Sequence, residues 1–494
     1  MTTPDTRTSE QTQPGEPTLK EKTAKGLFWG GISTFIQQVI GMIFGIVIAR
    51  ILSPEDYGLI AMLAIFTAIA TLIMDSGFTV ALINRPTIEH KDYNAVFWFN
   101  IFAGIGIYVI LFFIAPFIAD FYNQPVLTDL SRIVFLSFVI AGAGIAHNAM
   151  LLKKIMAKQR GIIDTISVIF SGSIGLVLAL NGFAFWGLAV QQVSQVFIAV
   201  LLRSIFSTWK PTLQFDFSPL KKMFGFSIKL FLTNIFAQIT SNLFTVVLGK
   251  LYGKIETGFY AQGNKWAFLG NAVITGTINN IAQAVLVEAK TDLSRQLNIF
   301  RKMIRFGAFI AFPALLGLVF VSRDFIIIAL GEKWLDSVIY LQLFCFWGIN
   351  GYISSLYIVL VLSHGKSAVY MNVLIGLFIL QLTGLFICSP YGILLMVCVY
   401  IGLYFLSTFV WHWYTQKLIG LKFKNVVTDM FPYIAATLIA IGISWLLAGR
   451  INNIYLKFIT KILLMIAVYC VILWRTNSVI FKESINYLKR TKYD

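Results

Sequence analysis

The stretch ARILSPEDYG, Ala49–Gly58, returns two hundred residues later as GKLYGKIETG, Gly249–Gly258. Arg50 matches Lys250, Ile51 matches Leu251, Asp56 matches Glu256 and Gly58 matches Gly258, all at an offset of 200. Each copy closes one long apolar segment and opens another. The order of basic residue, aliphatic, short polar stretch, acid and glycine predicts an interhelical turn, with the glycine leading into the next helix. Two such turns with matched flanks predict an internal duplication.

What lies between the turns decides the class of protein. Of the 494 residues, 58% are apolar and 12% charged, with a mean hydropathy of +0.79. A soluble chain is about 25% charged. A bilayer core about 30 Å thick is crossed by roughly 20 apolar residues, and runs of that length fill most of this chain. The reading is an all-α polytopic membrane protein, because a transmembrane barrel would show short alternating strands. Spans are expected at 26–49, 58–83, 94–118, 130–152, 161–181, 184–206, 224–248, 264–287, 304–321, 338–362, 367–388, 391–414, 429–448 and 453–474, fourteen in all.

The net charge of +17 raises nucleic-acid binding as a reading, but no basic cluster sits on a soluble fold. Basic residues of membrane proteins gather in cytoplasmic loops. With both termini cytoplasmic, 28 Lys and Arg fall on the cytoplasmic side and 10 on the other, with Lys229 inside a span. The expected organisation is a disordered tail (1–24), a six-helix lobe (25–206), an interfacial linker (207–223), a second six-helix lobe (224–415), two further helices (416–474) and a basic tail (475–494). Spans 1 and 7 enter from the same side, so the lobes are expected to be parallel repeats. The four cysteines lie in or beside apolar segments and the four histidines are scattered. They predict neither a disulfide framework nor a metal site, and no cofactor is expected beyond a coupling ion, proton or sodium.

Polar residues recur at helical spacing on the leading spans of both repeats. Thr67, Thr71, Asp75 and Thr79 lie four apart, as do Asn271, Thr275, Asn279 and Gln283. Gln37 and Gln38 are answered by Gln238 and Asn242. Residues four apart share a helix face, and such stripes suit either a wet cavity or a packing seam between helices. The cavity reading takes Gln37, Gln38, Asp75, Gln238, Asn242, Asn271, Thr275 and Asn279 as its lining. Asp75, an acid inside a span, is a candidate for ion coupling. Lys25 and Lys229 are candidates to attract an anionic group at the cavity mouth, and Lys229 also suits snorkelling.

ARILSPEDYGLIAM with Asp75-Ser76-Gly77-Phe78, Trp209–Asp216 (WKPTLQFD), Phe224-Gly225-Phe226, Asn242 and Gly258-Phe259-Tyr260 together resemble the polysaccharide-transport family. These are lipid-linked oligosaccharide flippases, in a superfamily with multidrug exporters and lipid II flippases. LGEKW, Leu330–Trp334, is similar to the branch handling colanic-acid-type units. The resemblance implies two six-helix lobes in a V around a central cavity, alternating access, and glycan on an undecaprenyl pyrophosphate carrier as substrate. It implies a bacterial inner membrane location, with membrane lipid and glycan polymerase or assembly proteins as partners. The sequence departs from the family in two ways. No arginine lies deep in spans 1 and 2, where the lipid II flippases place several for the pyrophosphate, and Phe244 stands where many close relatives carry an acid. Two other readings are a cation-coupled small-molecule exporter and a membrane glycan polymerase or ligase. No outer loop exceeds about twenty residues, whereas such enzymes carry a large one.

Overall fold

The computed structural model describes residues 19–75, 82 and 88–490. Helices are α1 (Leu19–Ile51), α2 (Pro54–Met62), α3 (Ala64–Asp75), α4 (His90–Tyr122), α5 (Leu127–Lys153), α6 (Ala157–Leu180), α7 (Ala184–Phe206) and α8 (Ser218–Glu288). They continue as α9 (Leu293–Ala329), α10 (Ser337–Ser363), α11 (Ser367–Cys388), α12 (Ile393–Ile419), α13 (Phe423–Ala448), α14 (Ile454–Arg475) and α15 (Val479–Arg490). No strand occurs among the described residues. Eleven of the described helices are long and apolar enough to cross a membrane. Their outer faces carry large apolar side chains such as Phe113, Phe117, Leu180, Trp445 and Trp474. Apolar surface of that extent, on helices long enough to span, suits contact with lipid.

Two compact units divide the chain. Among the described residues, one takes in those up to Leu52 and then Leu63–Asn242, the other Ser53–Met62 and those from Leu243 onward. In the first, α4 packs on α5, α6 on α7, and α1 on α6. In the second, α9 packs on α10, α13 and α14, and α10 on α12.

The duplicated stretches are tighter than turns. Ser53 N donates to Asp56 Oδ2 at 2.8 Å and Asp56 N donates to Ser53 Oγ at 3.3 Å. This is a capping box, and with Pro54 at the first helical position it starts α2 four residues before Gly58. In the second copy α8 is two helical arms meeting at Gly253, whose φ of 79° and ψ of −171° break the helix at one residue. Gly58 and Gly258 therefore lie inside helices, not at their entrances. A Cβ at Gly58 would run into the Lys254 carbonyl, and one at Gly258 into the Pro54 carbonyl. At the offset of 200, Pro54 corresponds to Lys254, so the two contacts are the same contact made twice. Lys254 Nζ also meets Glu55 at 2.7 Å.

The linker is strapped to the first unit. Trp209 is buried among His90, Tyr93, Phe97 and His147, and its Nε1 donates to His90 Nδ1 at 2.9 Å. Asn94 accepts from Thr212 N at 2.9 Å, and Trp98 Nε1 donates to Thr212 O at 2.8 Å. The opposite edge exposes Leu213 and Phe215, and Phe215 lies against Trp98 and Phe102 of α4.

Beyond Arg475 the expected tail is largely helix. α15 docks through Phe481 on Phe309, with Lys302 and Glu483 paired at 2.7 Å. Its apolar residues recur at helical spacing inside a basic stretch, which a hydropathy average hides.

A polar network closes the loop before α11. Buried Gln296 donates to Leu286 O at 2.8 Å and faces His364 Nε2 across 3.0 Å. Burial, with Lys290 and Lys366 nearby, lowers the His364 pKa from 6.5. A depressed imidazole is neutral in the folded state, so its contribution is complete above about pH 6.5, the unfolded value. It is lost as pH falls through the lowered folded value. Thermal unfolding in micelles should show stability falling below about pH 6.5, and His364→Gln should lessen that fall. An equally steep fall in the variant would remove His364 as its origin.

Candidate functional site

The first unit contains a cavity of about 670 Å³, within the usual range for ligand sites. Its polar wall comes from five helices. α1 gives Gln37, α3 Thr67, α5 Ser137 and Asn148, α6 Asp164 and Ser167, and α7 Gln192, Gln195 and Arg203. The helices reach one another because small residues lie between them. Gly161 faces Ser33, Gly172 faces the Phe44 ring, and Gly187 packs on the Gly175 carbonyl. On α7 the spacing of Gln192, Gln195 and Arg203 keeps one polar face turned inward.

The two charges in the wall cancel. Arg203 Nη2 donates to Asp164 Oδ1 at 2.9 Å. Arg203 Nε and Asn148 Oδ1 are buried without a hydrogen-bond partner. What remains is an uncharged lining of amides and hydroxyls with capacity to spare. Amides both donate and accept, so such a wall can solvate a hydroxylated ligand in a bilayer without holding it by charge.

Of the residues expected from sequence, Gln37 lines this cavity, as does Thr67 from the stripe that carries Asp75. Gln38 is exposed and is not part of the wall. Asp75 ends α3, and its side chain lies outside the described residues, as do those of Lys25, Lys229 and Asn279. Gln238 and Asn242 bond along their own helix, Asn242 Nδ2 donating to Gln238 O at 3.0 Å. Asn271 is buried in the second unit beside Gly348 and Gly351 of α10, where its amide fits the space that the missing side chains leave. Thr275 Oγ1 donates to Asn271 O at 3.0 Å. Phe244 stacks on Tyr260 at 5.0 Å and lies tilted against Tyr400 at 5.2 Å, so an aromatic cluster occupies that part of the second unit.

Sequence reasoning passes over Asn148, Asp164, Gln192, Gln195 and Arg203. The signal for Gln192 and Gln195 is present, as amides three apart within a span. Asp164 is hidden by a boundary, because the span expected from 161 puts it at a helix end, whereas α6 begins at Ala157.

Relatives give this geometry a context. The chain is 27% identical over 337 residues to the lipopolysaccharide biosynthesis protein WzxC of Escherichia coli (strain K12), covering 67% of this chain and 68% of that protein. It is 25% identical over 438 residues to the teichuronic acid biosynthesis protein TuaB of Bacillus subtilis (strain 168), covering 87% and 90%. The fold is similar to that of the lipid II flippase MurJ in an inward closed conformation, with a TM-score of 0.73 at 16% identity over 92% of this chain and 99% of that one. That last likeness is one of fold alone. A family described as polysaccharide biosynthesis protein matches residues 47–339, more than half of the sequence, and the chain belongs to it.

Proposed function

We infer that this chain is a flippase that carries a lipid-linked oligosaccharide across a bacterial membrane by alternating access, without a chemical step. The observation that carries the reading is the uncharged, hydrogen-bonding cavity inside a unit whose outer surface is apolar. A saccharide cannot enter hydrocarbon bare, because each hydroxyl buried without a partner costs about 2–7 kcal/mol. Amides along Gln37, Gln192 and Gln195 replace that hydration while the lipid tail stays in the bilayer. The relatives' names, lipopolysaccharide and teichuronic acid biosynthesis, support a glycan as the cargo. Undecaprenyl pyrophosphate as carrier, the inner membrane with both termini cytoplasmic, a proton or sodium gradient as drive and glycan-assembly proteins as neighbours belong to the same proposal.

The test is translocation of a fluorescent lipid-linked oligosaccharide in proteoliposomes. Gln192→Leu with Gln195→Leu should slow it at least tenfold while the protein stays folded. Wild-type rates in that variant would place the saccharide route elsewhere. In the same vesicles Asp75→Asn should abolish the dependence on the ion gradient, and an unchanged dependence would remove Asp75 from coupling.

A further inference from the structure

The uncharged cavity leaves the anionic part of such a substrate unaccounted for, and the second unit holds donors with nothing to donate to. On α8, Lys265 lies three residues and Trp266 four residues after Gln262, so each adjoins Gln262 on the helix surface, with Lys265 exposed and Trp266 buried. Lys265 has no carboxylate partner among the described residues, and its ammonium sits 5.9 Å from the Tyr57 ring centroid and 5.5 Å from that of Trp266. Aromatic faces hold a cation without neutralising it. Trp266 is buried with its Nε1 unpartnered. Gln262 is 1% exposed and lies near the Tyr57 hydroxyl, but neither of its amide atoms is in hydrogen-bonding geometry. Tyr57 is held edge-on to Trp334 at 5.4 Å, and Trp334 to Phe259 at 6.2 Å, which makes one wall rigid.

The acids beside Tyr57 in sequence are engaged already. Glu55 pairs with Lys254 at 2.7 Å, and Asp56 caps α2 through Ser53. A positive charge with indole and amide donors beside it, all unsatisfied, lacks one kind of group. Leaving the indole and amide donors buried and unpaired carries a penalty, which an acceptor would relieve.

We propose that Lys265, with Gln262, Trp266 and Tyr57, docks an oxyanion of the transported head group, a phosphate of the carrier or a carboxylate of the glycan. The site rests on the transport reading above. It is not legible in the sequence, because the span expected at 264–287 leaves Lys265 at its outer end, whereas α8 resumes at residue 254 and runs through it.

The experiment uses the full chain in nanodiscs and two probes, a short-chain polyprenyl pyrophosphate and glucuronate. Wild type should bind at least one, and Lys265→Met should weaken that binding at least tenfold, with Lys265→Arg within threefold of wild type. Gln262→Leu should weaken it too. Loss for the pyrophosphate alone assigns the phosphate, and loss for glucuronate alone assigns the glycan carboxylate. Amine acylation of Lys265 in the wild type, read by mass spectrometry, should be slowed by the bound probe, a readout needing no variant to fold. Binding unaffected in Lys265→Met, acylation indifferent to probe, or no binding of either probe would overturn the site. Translocation by wild-type proteoliposomes reports on the transport reading separately.

Discussion

Replacing Gly58 or Gly258 by alanine should remove most of the folded protein from the membrane. The added methyl group of Gly58→Ala would occupy the position of the Lys254 carbonyl, and that of Gly258→Ala the Pro54 carbonyl. Overpacking against side chains typically costs about 1–3 kcal/mol because the neighbours can turn aside. Here the obstacle is backbone inside a capped helix start on one side and beside the Gly253 break on the other, so the helices must separate. A loss at or above the top of that range is expected for each variant. Gly442, on an exposed face of α13 with nothing within 4 Å of the place a Cβ would take, is the control, and Gly442→Ala should be tolerated. Membrane yield and thermal unfolding in micelles read both. Equal behaviour of Gly58→Ala and Gly442→Ala would mean the close crossing is not needed.

Breaking the Lys461–Asp324 pair should be the second costly change. The ammonium and carboxylate meet at 2.5 Å with side chains only 10% and 13% exposed, and Lys461 also lies 4.8 Å from the Phe320 ring centroid. Taking away one partner of a buried pair strands a charge and costs about 3–5 kcal/mol. Asp324→Leu or Lys461→Met alone should therefore destabilise strongly, and the two together should recover most of the loss, since an apolar pair replaces the ionic one at little cost. By contrast Lys302 and Glu483, both half exposed, should matter by about 1 kcal/mol or less. Additive losses in the double variant would show that packing, not charge, holds α14 to α9.

Hydropathy locates the membrane helices well where loops punctuate them. The span expected at 184–206 is α7, Ala184–Phe206, and that at 367–388 is α11, Ser367–Cys388. It fails where a helix restarts within a residue or two, because a capping box at Ser53 and a single positive φ at Gly253 leave almost no trace in an average. The site divides in the same way. Gln37 is readable because its polar character interrupts an apolar helix. The Arg203–Asp164 pair is not, because it joins residues 39 apart on different helices, and periodicity along one helix carries no information about its neighbour. Lys265 is obscured by a misplaced boundary, which is enough to turn a residue well inside a helix into one at its end.

The doubled glycine contact also bears on where this chain came from. A patch in which position i touches j while the counterpart of j touches the counterpart of i is isologous, the geometry that two identical molecules make across a two-fold axis. A half-length ancestor bearing one such glycine would have paired with a second copy of itself through the contact that Gly58 and Gly258 now make in a single chain. Fusion would then have made permanent an association that already existed. Some of the positions around the two glycines have since diverged, as Glu55 and its counterpart Ile255 show, but neither glycine can acquire a side chain without the other's helix giving way.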